Sequence, residues 1–147
     1  MPAPPSRHSP ALNKERVESV IDSFIAKTAR NLGADENKEV RKIGYGDLDD
    51  DGVQDVAVTC AIEGVNGGNN SHTQLAVFRN DEGNLSFVDK KVFADYERVV
   101  LLVSISNGRI VCDTFSWAEQ DAQCCPSIKK PSAFILSQNK LKEIQSR

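Results

Sequence analysis

The order of apolar and polar residues divides this chain into one helical segment followed by several extended ones. Between residues 13 and 32 apolar residues recur every three or four positions, which predicts an amphipathic helix with one buried face. That face contains Val17, Val20, Ile21, Phe24 and Ile25. Asn13 can cap the amino end and Gly33 can end the helix, while Leu12 and Val17 can pack together across the first turn.

After residue 40 the sequence changes to short runs of alternating apolar and polar residues separated by turn signals. This arrangement is typical of an antiparallel β-meander. We predict strands near residues 40–46, 54–62, 72–80, 85–92, 97–106, 109–117, 132–137 and 140–145. Predicted turns lie at residues 81–84, 107–108 and 138–139. The Asn107-Gly108 turn is the clearest of them, because a two-residue type I′ turn needs positive φ at both positions.

Two of the predicted strands carry apolar faces that the helix could cover. One face contains Val56, Val58, Cys60 and Ile62, and the other contains Val99, Leu101, Val103 and Ile105. We expect both faces to meet the helix. The predicted fold is therefore α+β, an N-terminal amphipathic helix packed on a curved antiparallel β-meander of about seven or eight strands.

Length and composition predict one domain with a tail. The chain has 147 residues, enough to bury a core without covalent staples. Four of its six prolines fall in the first ten residues, so we predict a flexible proline-rich tail over residues 1–11 and a single α+β domain over residues 12–147. No apolar run approaches the roughly 20 residues of a membrane span. Lysines and arginines are scattered rather than clustered, which argues against a nucleic-acid surface.

The densest chemical signal is the segment from Asp47 to Asp55, in which carboxylates stand at positions 1, 3, 5 and 9 and a glycine at position 6. Acids packed this closely repel one another unless a cation lies among them, and a hard cation suits oxygen ligands. Gly52 would allow the sharp turn that such a loop needs. We predict a Ca²⁺ site whose ligands are the side chains of Asp47, Asp49, Asp51 and Asp55, the carbonyl of Val53, and water.

This loop differs from an EF-hand. An EF-hand needs a glutamate at position 12 and a helix on each side, whereas here position 12 is Val58 and both flanks are predicted strands. A solvated turn is the alternative, since Asp and Gly are common in turns. The charge distribution favours the cation site. The formal net charge is −3, and without the five acids between residues 47 and 55 it would be +2.

Four cysteines fit an oxidising compartment. Cys60 and Cys112 fall in predicted strands, while Cys124 and Cys125 are adjacent, so three connectivities are possible. A bond between adjacent residues closes a strained eight-membered ring, which favours distant partners for both. The pairing stays open at this point.

Other segments are candidates for binding or chemistry. Residues 63–72 form the longest polar loop in the predicted domain, and loops of this kind either bind ligands or only connect strands. Trp117, the single tryptophan, could anchor a contact or close the core. His8 falls in the tail, and His72 begins a strand without a recognisable nucleophile or orienting acid. We therefore predict no catalytic residues and no enzyme activity.

The metal loop and the segments after it resemble known sequences. Gly46–Val58 is similar to the calcium loop of FG-GAP/VCBS-type repeats. Together with the Asn107-Gly108 hairpin and Asp121–Ser127, it resembles a group of small exported bacterial proteins that share the order GDLDxDGxxDxAV, GxIxV, DxxCCPS. The resemblance covers roughly residues 44–145 and implies calcium binding and export. In that group the Cys-Cys-Pro segment has no obvious partner, which keeps a bond between Cys124 and Cys125 open.

The expected location is the periplasm or the medium, with an export signal removed, because cytosolic free calcium is too low to fill a weak extracellular-type site. A cytosolic location is the alternative. We expect a monomer that binds calcium and a protein partner, without nucleic acid or a membrane span.

Three functional hypotheses follow. The first is a non-catalytic domain that binds a macromolecule, for instance as an inhibitor or immunity protein for a toxin or cell-wall enzyme. The second is an envelope thiol/redox protein that uses Cys124 and Cys125. The third is a carbohydrate-binding module in which Trp117 stacks on sugar.

Overall fold

The structure is a computed structural model that describes residues 12–94 and 97–145. In these two stretches the chain forms one α-helix, nine strands and two short 3₁₀ turns. Helix α1 spans Lys14–Asn31. The strands are β1 Asp35–Glu36, β2 Lys42–Gly46, β3 Asp55–Glu63, β4 Ser71–Asp81, β5 Asn84–Phe93, β6 Val99–Ser106, β7 Arg109–Ser116, β8 Ile128–Ser137 and β9 Lys140–Ile144. The 3₁₀ turns are Lys38–Val40 and Val65–Gly67.

The strands form two antiparallel sheets rather than one meander. In the first sheet β3, β4 and β5 are successive neighbours, and β1 and β2 lie one after the other along the outer edge of β3. The second sheet has the order β6-β7-β8-β9. The α+β class is confirmed, whereas the single meander of seven or eight strands is not. The two-residue strand β1 was missed because so short a run shows no alternation. The predicted tail, residues 1–11, lies outside the described residues.

Helix α1 packs on one face of the first sheet, as its periodicity predicts. Asn13 Oδ1 accepts a hydrogen bond from the Arg16 N–H at 3.0 Å, so the predicted cap is present. Gly33 follows the helix with φ of +59°. The buried residues of this layer are Val17, Ile21, Ile25 and Ala29 of the helix and Val56, Val58, Cys60, Ile62, Ala76 and Phe78 of the sheet. This confirms the predicted inner face of β3.

A second core fills the space between the two sheets. It contains Leu48, Ala57, Leu75, Val77, Phe93, Val100, Leu102, Ile110, Cys112, Phe134 and Leu141. The first sheet is therefore buried on both faces, which explains why β3 and β4 are nearly continuous runs of buried residues. The molecule has three layers, in the order helix, first sheet, second sheet.

The prediction that Val99, Leu101, Val103 and Ile105 face the helix is wrong. Val100 and Leu102 are buried between the sheets instead, and Val103 is 57% exposed. The physical reason is that β6 belongs to the second sheet and packs Val100 and Leu102 against the first sheet, so it does not reach the helix. A β-bulge follows: Leu102 pairs with Cys112 and Ser104 with Val111, so Val103 has no partner across the ladder. Because side chains alternate with period two, this extra residue reverses the inward face, and Ile105 packs against the core.

Strand β6, at an edge of the second sheet, is joined to the first sheet by side-chain hydrogen bonds. The Leu102 N–H donates to Thr59 Oγ1 at 2.9 Å, and the Val100 N–H donates to Thr73 Oγ1 at 3.2 Å. Both threonines are buried. These bonds satisfy amide groups that an edge strand otherwise leaves unpaired in a dry core.

Two glycines of β2 allow β6 to approach closely. A Cβ atom placed on Gly46 would lie 2.4 Å from Ile105 Cγ2 and 2.8 Å from Ile105 Cβ. A Cβ atom on Gly44 would lie 2.8 Å from Leu102 Cδ2. Side chains of β6 therefore fill the space that the glycines leave, and the two sheets pack tightly beside the loop that follows Gly46.

Gly46→Ala is expected to destabilise the protein by about 1–3 kcal/mol, because the new methyl group overlaps Ile105 in a packed core. Urea denaturation measures the change. In the double mutant with Ile105→Ala the two losses should be clearly less than additive, since the smaller side chain gives the methyl group room.

Gly68→Ala is a matched control, because its Cβ atom would meet only the Val65 carbonyl at 3.5 Å. That variant should change the free energy of unfolding by less than Gly46→Ala. Equal losses for the two variants, or full additivity with Ile105→Ala, would contradict the close packing described here.

Candidate metal centre

The acidic loop closes the hairpin between β2 and β3. Gly46, the last residue of β2, pairs with Asp55, the first residue of β3. Two residues between them have positive φ: Gly52 at +85° and Asp50 at +61°. Glycine and aspartate tolerate that conformation, so the chain can turn sharply within the loop.

The loop brings four carboxylates together. One carboxylate oxygen from each of Asp47, Asp49, Asp51 and Asp55 lies within 4.8 Å of the others. This cluster could hold a metal ion, as the spacing of the acids predicts. The fifth predicted ligand, the carbonyl of Val53, stays a prediction, although the Val53 N–H donates to Asp51 Oδ1 at 3.0 Å.

Asp55 is the buried member of the cluster, with 1% of its surface exposed. Its Oδ2 accepts a hydrogen bond from the Leu48 N–H at 2.9 Å, and its Oδ1 accepts one from the Asn80 N–H at 3.0 Å. Burial raises the pKa of Asp55 to about 6, because the two N–H donors only partly offset it and the nearby charges of Asp49 and Asp51 add to it. The carboxylate thus joins the loop to β4 through hydrogen bonds, although its burial disfavours the charged form.

The pKa values of Asp47 and Asp51 are shifted in opposite directions. Burial tends to raise the pKa of Asp47, but N–H donors outweigh it, and the net shift is downward. Those donors are Gly52 at 2.7 Å, Asp51 at 3.2 Å and Asp49 at 3.3 Å. The pKa of Asp51 is raised by burial and by its acidic neighbours, which outweigh one N–H donor. The loop therefore contains more negative charge than its own backbone satisfies.

Asp49 has a buried carboxylate oxygen that no described hydrogen-bond donor satisfies. Its Oδ2 accepts a hydrogen bond from Arg79 Nε at 2.9 Å, whereas its Oδ1 is buried and has no hydrogen-bond partner among the described residues. A buried acceptor left unpaired costs about 1–3 kcal/mol, more when charged. A cation among the four carboxylates would satisfy this oxygen. The all-oxygen donor set fits a hard ion such as Ca²⁺ or Mg²⁺.

Arg79 links the cluster to the second sheet. Its Nε donates to Asp49, and its Nη2 donates to Asn139 Oδ1 at 2.6 Å in the turn between β8 and β9. The side chains of Asp49 and Arg79 are 25% and 29% exposed, so the pair is partly shielded from water. Sequence reasoning missed Arg79 because it lies 30 residues from Asp49 and carries no motif of its own.

The other segments singled out from the sequence lie towards the opposite end of β3. Strand β3 runs from Asp55 at the cluster to Glu63, where the polar loop begins. Trp117 Nε1 donates to the carbonyls of Ala122 and Gln123, both at 3.1 Å. These hydrogen bonds hold the indole ring against the segment that leads into the adjacent cysteines.

The structure joins Cys124 to Cys125, so the preference for distant partners is wrong. Cys60 lies between the helix and the first sheet, while Cys112 lies between the two sheets, and both are free. Burial raises the pKa of each thiol to about 12, which suits a structural role. A thiol/redox role for the exposed pair stays a prediction.

His72 lies beside a side-chain amide. Its Nε2 is 2.9 Å from Gln74 Nε2. Its pKa is lowered, first by burial and then by the charge of Lys90. This arrangement gives the histidine a structural partner on its own strand.

No protein-family model, curated protein or solved structure matches this chain. The resemblance to the FG-GAP/VCBS-type loop and to the exported group therefore stays a prediction. Among the described residues, no helix is long and apolar enough to cross a membrane.

Without a bound cation, we expect the free energy of unfolding to fall as the pH rises from about 4 to about 6. The pKa of Asp55 is about 6 in the folded protein and close to the ordinary 3.8 in the unfolded chain. The folded state therefore keeps a proton that the unfolded chain has lost over this interval. The raised pKa of Asp51 acts in the same direction. Carboxylates with a lowered pKa, such as Asp47, act below this interval. The lowered pKa of His72 acts in the opposite direction below about pH 6.5, so the test removes this side chain.

Urea denaturation of His72→Gln in the presence of a chelator, at about pH 4.5 and about pH 6.5, measures this difference without the opposing contribution of the histidine. The expected result is lower stability at the higher pH. A metal-free protein that gains stability across the same interval would contradict the electrostatic picture of the cluster.

Proposed function

We propose that this protein is an exported, calcium-binding, non-catalytic domain that acts by binding a macromolecular partner. The observation that carries the proposal is the cluster of Asp47, Asp49, Asp51 and Asp55, in which one buried carboxylate oxygen has no partner among the described residues. A cation bound there would neutralise the crowded acids and hold the surrounding loops in one arrangement.

Calcium fits this donor set better than magnesium. Calcium accepts six to eight oxygen ligands in flexible geometry, which four carboxylates, the Val53 carbonyl and water can supply. Magnesium requires near-ideal octahedral geometry and gives up its water reluctantly. An irregular loop with four acids of unequal burial suits the larger and more tolerant ion.

The proposed role of calcium is structural. Asp55 connects the loop to β4 through the Asn80 N–H, and Asn80 Oδ1 in turn accepts a hydrogen bond from the Gly83 N–H at 2.7 Å in the next turn. Arg79 extends the same network to the turn that contains Asn139. The loop is flanked by strands rather than by a pair of helices, so an EF-hand type of opening is not available to it.

One general argument and one observation support export. A weak calcium site fills at extracellular calcium concentrations but not at cytosolic ones. The exposed disulfide between Cys124 and Cys125 persists in an oxidising compartment, whereas cytosolic reductants keep most thiols reduced.

The partner we propose is a protein, for instance a toxin or a cell-wall enzyme that this domain inhibits or to which it confers immunity. The domain offers loops at both ends of the first sheet, and the metal would order one set of them. His72 lies against the Gln74 amide, which favours a binding role over a catalytic one.

Removing calcium should lower the melting temperature. A ligand that binds only the native state stabilises it by RT ln(1 + [L]/Kd), about 2.7 kcal/mol at 100-fold saturation. Asp49→Asn or Asp51→Asn should remove most of the difference between calcium and chelator, because each takes one charge from the cluster. Thermal denaturation of each protein in calcium, in magnesium and in chelator measures the difference in melting temperature.

Asp50→Asn is the matched control. Asp50 is an acid of the same loop that is not part of the cluster, and asparagine accepts its positive φ as readily as aspartate does. This variant should keep its response to calcium. A wild-type melting temperature that is the same in calcium and in chelator would refute a calcium site.

A tagged protein incubated with native periplasm or medium should retain a stoichiometric protein partner in calcium. It should retain less in chelator if the metal orders the contact loops, and Asp51→Asn should reproduce that loss while Asp50→Asn should not. Recovery of no stoichiometric protein in either condition would count against a protein partner, while the calcium site would be judged separately by the melting experiment.

A further inference from the structure

A groove of about 830 Å³ lies at the end of β3 that is remote from the acidic cluster. Its lining comes from distant parts of the chain: Asn37, the end of β3 at Glu63, Leu101 of β6, and the segment from Trp117 to Pro126. The volume falls within the roughly 300–1,000 Å³ of small-molecule sites. The segments that the sequence singled out separately meet in this groove.

The aromatic wall of the groove is fixed before any ligand arrives. Trp117 Nε1 donates to the carbonyls of Ala122 and Gln123, which orients the indole ring on its own loop. Gln123 Nε2 donates to the Asn69 carbonyl at 3.4 Å and so connects that loop with the polar loop after β3. A ring held in this way loses little conformational entropy when a ligand packs on it.

The polar walls are fixed as well. The Asn66 N–H donates to the Leu32 carbonyl at 2.8 Å, which ties the polar loop to the end of α1. On the other wall the Asn37 N–H donates to the Ala61 carbonyl at 3.0 Å, and Asn37 Nδ2 donates to Glu63 Oε2 at 3.1 Å. The groove is thus a preformed surface rather than a gap between independent loops.

The charges of the groove exclude an anionic ligand. The guanidinium of Arg98 lines the groove, but its Nη1 and Nη2 donate to both carboxylate oxygens of Glu143, at 2.9 and 2.7 Å. The pKa of His72 is lowered by burial, which keeps the ring neutral at neutral pH. Glu63 contributes a negative charge. No described residue of the lining therefore offers an unneutralised cation to a phosphate or sulfate.

Strand addition by a peptide is also disfavoured. A peptide that extends a sheet needs unpaired N–H groups on an edge strand. On β6, which lines the groove, the N–H groups of Val100 and Leu102 already donate to Thr73 and Thr59. The edge that a peptide would use is occupied by the first sheet.

We propose that this groove binds a neutral oligosaccharide. A sugar ring presents C–H groups on its faces, which pack on an indole or an aliphatic side chain such as Leu101, and hydroxyl groups around its rim. The side-chain amides of Asn37 and Gln123 can donate hydrogen bonds to sugar hydroxyl groups and accept them, whereas the Glu63 carboxylate only accepts them. A fixed aromatic ring combined with neutral amides is the chemistry that recognises a polyhydroxylated ring.

The inference goes beyond the proposed function and does not depend on it. Strand β3 has nine residues, so roughly 25 Å separate the acidic cluster at Asp55 from the groove at Glu63. A variant such as Asp51→Asn should abolish calcium binding and leave saccharide binding in place. Calcium binding and saccharide binding can therefore be tested, and refuted, independently.

The single tryptophan supplies the test, because Trp117 lies in the groove and reports binding through its fluorescence. The full chain is titrated with chitotetraose, cellotetraose and maltotetraose, with polyphosphate as an anionic control, and calorimetry checks the result. We expect saturable binding of at least one tetrasaccharide with a Kd of about 1 mM or tighter, and no binding of polyphosphate.

Variants locate the site. Trp117→Ala and Asn37→Ala should each weaken binding about tenfold or more by calorimetry, and Glu63→Gln should weaken it less. Glu119→Gln, an exposed acid near the same loop, and Val103→Ala, further along β6, should bind as the wild type does. If Trp117→Ala lowers the melting temperature, Trp117→Phe replaces it in the test. Asn37→Ala is used only if its melting temperature is unchanged, because Asn37 Oδ1 also accepts the Glu39 N–H at 3.2 Å.

The proposal is overturned by any of three results. The first is that none of the tetrasaccharides binds. The second is that folded Trp117→Ala and Asn37→Ala variants bind with wild-type affinity. The third is that polyphosphate binds in place of the neutral sugars.

Discussion

The carboxylate of Asp55 is the interaction on which the acidic end of the molecule depends. It is buried, it accepts the N–H groups of Leu48 and Asn80, and it lies among three other acids. Those two hydrogen bonds join the β2–β3 loop to β4, but burial raises the pKa of Asp55 to about 6. The fold has thus placed a charge where water cannot solvate it fully, and a bound cation is the simplest compensation.

The rest of the architecture follows from covering the first sheet on both faces. The helix covers one face, and the second sheet covers the other through hydrogen bonds from β6 to Thr59 and Thr73. The glycines of β2 bring β6 close at one end, and the groove beside Trp117 lies at the other end. One end of the molecule is therefore organised around charge and the other around a fixed aromatic surface.

Local patterns predicted local structure well and long-range pairing poorly. The helix, its Asn13 cap and the four acids of the cluster follow from residues close in sequence, whose spacing alone determines which side chains meet. The bulge at Val103 arises from pairing with β7, so periodicity within β6 could not reveal it. Arg79 reaches Asp49 only because β4 runs beside the loop. The bond between Cys124 and Cys125 could not be predicted, because the burial of Cys60 and Cys112 in separate cores depends on long-range packing.

Amide hydrogen exchange tests most directly our proposal that one cation occupies the acidic cluster and holds these strands together. On adding calcium to metal-free protein, protection should rise at the N–H groups of Leu48 and Asn80, which donate to Asp55, and should change little at the distant Val100. Asp51→Asn should abolish the rise. Exchange at Leu48 and Asn80 that is unaffected by calcium, or equally affected in Asp51→Asn, would contradict the account.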